Sequence, residues 1–308
     1  MSDSNPIFKS IRDSSGMRLA VLFGSFFFML VFVSIINAGI VTLPGSARTH
    51  SLVIAAIQCV LAFCLPAFFL AKFSSDNWKS WLKLTKPPHY RALIGVIIVY
   101  VISMPAMEWL IEWNNNVHLP QSMSALENTL RQWEETNAST SDLLLDAHGF
   151  FPVLAGVIVI GILTGFSEEL FFRGGLQGIF SRSNIGISIS VWLAAIVFST
   201  MHFQFFGFFP RLLMGVFFGY LLVWTGSIWV PVFAHVLNNS IVVVTAAITD
   251  DSTAIFINPS ESSIFIGDSI GVILSLILTT AFFYFFRNSI FKLDSSWQKK
   301  QLPPISET

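Results

Sequence analysis

The chain has 308 residues, 54% hydrophobic and 11% charged, with a formal net charge of −1. Soluble domains carry about 25% charged residues, so an ordinary soluble fold is excluded, and the near-zero charge gives no sign of a nucleic-acid surface. Continuous apolar runs of about 20 residues, which do not alternate as barrel strands would, make the fold class all-α, a polytopic transmembrane helical bundle.

Residues 1–16 read as a polar tail holding Lys9 and Arg12. The first span, about Arg18 to Val41, has no small-residue cleavage site after it and reads as an uncleaved helix that exits at Pro44-Gly-Ser. Span two, about Ser51 to Leu70, carries Cys59 and Cys64, which read as small core residues and not as a disulfide. A loop with Lys79, Lys83, Lys86 and the turn Pro87-Pro88 leads to span three, about Ala92 to Ile111, with a kink at Pro105. Residues 112–148 are hydrophilic, with Glu112, Glu127, Glu134, Glu135, Asp142 and Asp146 against Arg131 alone. Leu126, Leu130 and Trp133 recur there at helical spacing, which predicts a helix on the membrane surface. Whether that helix caps a site or joins two spans is open at this level.

Span four starts near Phe150 and runs to Gln177 or Phe180; span five covers about Ile185 to Phe206 and is broken by Gly207 and Pro210. Span six runs about Leu212 to Trp224, Gly226-Ser-Ile is a tight joint, and span seven runs about Ile228 to Ile248. An acidic stretch with Asp250, Asp251, Pro259 and Glu261 precedes span eight, about Ile270 to Phe286, and a basic tail. The organisation is therefore a tail (1–16), three spans with the acidic segment (17–149), a core of four spans (150–249), and the last loop, span and tail (250–308). Lys and Arg gather at the N-terminus, in the 72–91 loop, at Arg182 and in the tail, so eight spans put both termini in the cytoplasm. Arg48 and Arg211 fall on the other side, as exceptions.

Three stretches bring polar chemistry into apolar surroundings: Gly165-Phe-Ser-Glu-Glu-Leu-Phe-Phe-Arg-Gly174, Phe198-Ser-Thr-Met-His202 and His235-Val-Leu-Asn-Asn239. A charge inside a bilayer costs about 2.5–3.5 kcal/mol on insertion scales, so adjacent glutamates there serve the protein interior. Glu169 and Arg173, spaced i,i+4, pair across a turn, and a structural ion-pair network tying spans together is the lesser alternative. Glu168, about 100° round the helix, is left without that partner and reads as a general base. Of six histidines only His202 and His235 lie well inside apolar spans. Singly, each reads as well as a packing residue; beside two glutamates they read as a base or a ligand. His235 and Asn239, again i,i+4, suit an oxyanion, with Asn238 as the alternative partner. Phe198 stands one turn before His202, placed to wall a pocket or, as one of 32 Phe, simply to pack. Glycines four apart at 161/165, 174/178 and 215/219 let helices approach closely.

Depth imposes a condition. If span four stopped at Arg173, the glutamates and His202 would lie about 20 Å apart on antiparallel helices. Span four must therefore run on past Gly174. The chain has no HExxH helix and no nucleophile elbow, which leaves attack by water, with or without a metal held by Glu and His.

In these residues the chain resembles the CPBP family of intramembrane proteases, the CAAX prenyl protease and bacteriocin-processing (Abi) family. Glu168-Glu169-Leu-Phe-Phe-Arg173 stands as its EExxxR motif, Phe198 with His202 as FxxxH, and His235 with Asn239 as HxxxN. The resemblance covers about residues 150–245 and implies an eight-span fold that hydrolyses a peptide bond of a membrane-associated protein or peptide. It implies Glu168 and His202 for the water, His235 and Asn239 for the oxyanion, and Glu169 with Arg173 for support. It also implies a metalloprotease using Zn2+ or another divalent metal, with Glu168, His202 and His235 as ligands, while a metal-free glutamate mechanism stays open. The Abi branch implies a bacterial inner (cytoplasmic) membrane. Two other readings are a scaffold or immunity protein that keeps an unused site, and a proton-coupled transporter in which the Glu/His set is a relay.

Overall fold

The computed structural model describes residues 6–249 and 269–291, all helices and connections. The acidic stretch with Asp250, Asp251, Pro259 and Glu261, and the tail with Lys292, Lys299 and Lys300, lie outside the described residues. A short helix, α1 (Pro6–Asp13), leads into α2 (Ser15–Ile40), whose first turn is capped by the Ser14 hydroxyl accepting from the Met17 amide. Ser46 caps α3 (Ala47–Ser74) in the same way through Thr49, and a one-turn helix, α4 (Trp78–Trp81), follows. Then come α5 (Tyr90–Asn115), the hydrophilic α6 (Ser124–Leu145) and the long α7 (Phe150–Phe180). The series ends with α8 (Ile187–Thr200), α9 (Phe208–Thr225), α10 (Trp229–Thr249) and α11 (Ser269–Phe291).

Among the described residues six helices are long and apolar enough to cross a membrane: α2, α3, α5, α7, the stretch Phe205–Thr225 that includes α9, and α10. Two shorter apolar helices, Ile187–Thr200 and Ser269–Phe285, accompany them. The exposure pattern is inverted relative to a soluble protein. Ile35 is 65% exposed and Phe28 58%, whereas Glu169 is 0% and Arg173 1%. An apolar outside around a charged inside is the arrangement of a multi-pass membrane bundle.

Helix α7 is central. Phe171 and Phe172 are fully buried, the Phe171 ring meeting Phe23 and Phe26 of α2 and Phe63 of α3. On its opposite side, a Cβ on Gly161 would overlap the Ser240 hydroxyl, and one on Gly165 would lie 3.0 Å from the Val236 backbone nitrogen. The two glycines thus seat α10 directly on α7. Gly215 of α9 faces the Ala195 backbone of α8 at 3.2 Å from a built Cβ, so that glycine pair closes α8 against α9. Packing of this kind, not burial from water, holds membrane helices together.

Two junctions show how backbone groups are satisfied away from water. Pro105 lies inside α5, and there Ser275 of α11 enters the ladder, donating to the Ile102 carbonyl at 2.6 Å and accepting from the Ala106 amide at 3.3 Å. Between α9 and α10, Gly226 takes the left-handed conformation at φ 66°. The 83–86 strand of loop docks on that joint: Lys83 accepts from the Ile228 amide, Leu84 from the Trp229 indole and Lys86 from the Ser227 hydroxyl.

Span five departs from expectation. Its helix ends at Thr200, and residues 201–204 form a turn with Phe203 at φ 53° before a short 3-10 helix at Phe205–Gly207. The Ser199 hydroxyl caps the reversal by donating to the Phe208 carbonyl at 2.7 Å. Cys59 and Cys64 are free thiols, Cys59 lying 3.4 Å from the Thr164 hydroxyl.

Candidate active site

Helix α7 is not a uniform α-helix. Wide π-helical turns occupy Val157–Leu163 and Leu170–Gln177, flanking the regular segment Thr164–Glu169 that carries both glutamates. Such turns loosen the i→i−4 ladder and free carbonyls for other donors. The Ile160 carbonyl accepts from the Asn239 side-chain amide at 3.0 Å, and the Val159 carbonyl from the Thr164 hydroxyl at 3.0 Å.

The second wide turn sets the charged layer. Glu169 Oε1 stands 3.0 Å from Arg173 Nη1 and accepts from His235 Nδ1 at 2.9 Å. Arg173 Nη2 donates to the Gly215 carbonyl at 3.0 Å, and one turn on Gln177 Nε2 donates to the Gly219 carbonyl at 3.1 Å. Two side chains one turn apart on α7 are thus laddered onto two glycine carbonyls one turn apart on α9. The guanidinium is also flanked by the rings of Phe198, at 4.7 Å, and Phe218, at 5.4 Å. Ion-pair, hydrogen-bond and ring contacts together compensate a cation that is 1% exposed.

With its Nδ1 proton given to Glu169, His235 directs Nε2 toward Glu168, 3.8 Å from Oε2. That separation is too long for a hydrogen bond, and Glu168 Oε2 is buried with no hydrogen-bond partner. Phe218 stacks on the His235 ring at 5.2 Å. His202 Nδ1 donates to the Phe198 carbonyl at 2.8 Å, which leaves its Nε2 as the acceptor. The Phe198 ring touches Phe172, His202 and His235, at 5.1, 4.8 and 6.0 Å, so it is the point where the three sequence stretches meet.

The extension of α7 to Phe180 removes the 20 Å conflict foreseen from depth, and Glu168, Glu169, Arg173, Phe198, His202 and His235 come together. Asn239 is placed differently from a free oxyanion donor. One of its amide protons is engaged by Ile160, and its Oδ1 accepts from Asn238 at 3.1 Å. Gln177 was missed by sequence reasoning; its position one turn after Arg173, matched by Gly215 and Gly219, was the available signal. Asn114 was missed as well: fully buried at the end of α5, it accepts from the Phe209 amide at 2.9 Å and donates to the Phe205 carbonyl at 3.3 Å.

Helix α6 caps the turn that carries His202. Glu134 accepts from the Phe206 amide and from Gln204 Nε2, both at 3.3 Å, and Asn137 donates to the Phe203 carbonyl. Arg131 lies over the Phe206 ring at 4.0 Å. Burial pushes the Glu134 carboxyl up, opposed by the Arg211 charge and these hydrogen bonds. At the start of the helix, Glu127 is drawn down to about 2 by His118, the Leu119 amide and Arg131.

The histidines each present Nε2 with Nδ1–H anchored on an oxygen, the manner in which metal-ligating histidines are held. Among the described residues, however, no three His, Cys, Asp or Glu stand together as a set that could hold a metal ion.

Residues 150–241 match the family model described as Type II CAAX prenyl endopeptidase Rce1-like. The uncharacterized protein YpbD of Bacillus subtilis (strain 168) is similar, 30% identical over 89 residues that make up 28% of this chain and 42% of that protein. The chain thus spans less than half the length of the curated relative it matches. No solved structure matches it.

Proposed function

We propose that this chain, which carries an Rce1-like domain of the CAAX protease superfamily over residues 150–241, is an intramembrane endopeptidase acting on a membrane-associated protein or peptide. The observation that carries the reading is Glu168 Oε2: a carboxylate oxygen buried without a partner, 3.8 Å from a histidine nitrogen whose ring is anchored by a second carboxylate. Glu168 takes a proton from water as the water oxygen adds to the peptide carbonyl carbon, and His202 Nε2 orients that water. The proton passes to His235 Nε2, and the N–H so formed faces the oxyanion together with the second amide proton of Asn239. Breaking of the C–N bond returns the proton to the leaving amine. Glu169, held by Arg173, fixes the His235 ring throughout.

The topology of this reading has eight spans, counting Ile187–Thr200 and Ser269–Phe291, with both termini on the cytoplasmic side by the distribution of Lys and Arg. Similarity to a Bacillus subtilis protein supports the cytoplasmic membrane of a bacterium.

The test compares purified wild type and Glu168→Gln in detergent or lipid against a membrane-peptide library, with and without a chelator. Cleavage lost in the variant and indifferent to chelation is the expected result. Cleavage abolished by chelation and restored by zinc would move the reading to a metalloprotease. Equal cleavage by both proteins would sink it.

A further inference from the structure

Besides Arg131 of α6, charge bias leaves Arg48 and Arg211 on the acidic side of the chain. Arg48 is accounted for structurally: it donates to the Leu144 carbonyl at 3.1 Å and the Pro152 carbonyl at 3.0 Å, clamping the α6–α7 junction. Arg211 is only half accounted for. Its Nη2 donates to Gln204 Oε1, and Gln204 is in turn held by Glu134 of α6. Its Nη1 is buried and has no hydrogen-bond partner, and among the described residues no carboxylate comes within 4.0 Å of it.

The position of that unpartnered edge is built, not incidental. A Cβ on Gly207 would overlap the guanidinium, so the glycine leaves room for it beside the turn that carries His202. From there it is tied to the site's own turn, since its hydrogen-bond partner Gln204 stands two residues after His202. An ionised donor held from one side and buried on the other without an acceptor carries a penalty that an arriving anion removes. Guanidinium geometry matches planar and tetrahedral oxyanions, carboxylate and phosphate, and a peptide brings the carboxylate.

We infer that Arg211 is a carboxylate subsite of the candidate active centre: its free Nη1 edge takes a carboxylate of the bound peptide, either the terminal α-carboxylate or an Asp/Glu side chain. The inference rests on the peptidase reading for the identity of the ligand as a peptide. The relay Glu134–Gln204–Arg211 then lets α6 set the position of the subsite from outside the bundle.

Two measurements test it. In the first, Glu168→Gln protein in detergent is offered a membrane-peptide library in paired forms, C-terminal acid against amide and, separately, Asp/Glu against Asn/Gln. Retained peptides are counted by mass spectrometry. One charged form is expected to be retained about tenfold over its neutral pair, a preference that vanishes with Arg211→Gln and partly returns with Arg211→Lys. Which pair responds identifies the source of the carboxylate. Equal retention of charged and neutral forms, retention of neither, or a preference that survives Arg211→Gln overturns the inference. In the second, the charged-to-neutral ratio of kcat/KM is measured for Arg211→Gln in the otherwise native chain and should fall to about one. A uniform loss that leaves the ratio intact would assign Arg211 to holding Glu168 and would overturn it too. If wild type cleaves nothing while the binding preference persists, the peptidase reading fails and the carboxylate site stands.

Discussion

Replacing Arg173 with methionine isolates what the buried charged layer is for. The substitution removes the 3.0 Å ion pair to Glu169 and the 3.0 Å hydrogen bond to Gly215, and it strips the cation from between Phe198 and Phe218. Glu169, 0% exposed, is left with His235 alone as a partner. Breaking a buried pair from one side costs about 3–5 kcal/mol, because the surviving charge is uncompensated. Adding Glu169→Leu removes that charge, so the double variant should recover most of the loss, a coupling of about 2–3 kcal/mol. Stability would be read by reversible SDS titration in mixed micelles on all four corners of the cycle. Cleavage should not recover with stability, since His235 Nδ1 then has no carboxylate to orient it, a loss of about 10–100-fold for such orienting partners. If Arg173→Met lies within about 1 kcal/mol of wild type, the pair carries no such strain and the reasoning fails. A double variant as unstable as Arg173→Met alone would place the cost in the Gly215 carbonyl and the rings instead.

Other outcomes follow from the packing and from the outer helix. Gly161→Ala should cost about 1–3 kcal/mol by forcing α7 from α10. Because the obstructing atom is the Ser240 hydroxyl, with the Ser240 Cβ at 3.5 Å, most of that cost should disappear in the Ser240→Ala background under the same titration. At the start of α6 the Glu127 carboxyl lies below its unfolded value, so the stabilisation it supplies is complete above about 4.5 and is lost as pH falls through about 2. Hydrogen exchange at the Leu119 amide should show protection that fades over that window in wild type and is already weak at neutral pH in Glu127→Gln.

Much of this architecture was legible because a bilayer leaves a sequence few choices. Apolar runs of spanning length could only be helices, and the depth of His202 required α7 to continue past Gly174, as it does. The three motifs could be placed from charge inside apolar runs alone. What was hidden arises from contacts between helices. Thr200 ends α8 without a glycine or proline nearby, because the reversal is made by the Ser199 hydroxyl and by α6 pressing on the 203–206 turn. At the first π-helical turn of α7, Asn239 and Thr164 take up the Ile160 and Val159 carbonyls, and no periodicity in α7 itself announces that turn. The same holds for Arg211: as a sequence feature it was only an exception to a charge rule, and its free edge appears once Gln204, Glu134 and Gly207 are in place.

The serine plug at Pro105 has a consequence in time as well as in space. The Ala106 amide finds its acceptor on Ser275, 169 residues downstream. At about 5–20 residues per second, a ribosome needs about 10–30 s to cover that distance. Throughout that interval the Ile102 carbonyl and the Ala106 amide face each other across the Pro105 kink without the hydroxyl that later bridges them. Helix α11 therefore acts as a late stitch, and a chain that stalls before it emerges would present the cell's quality-control machinery with an unbridged third span.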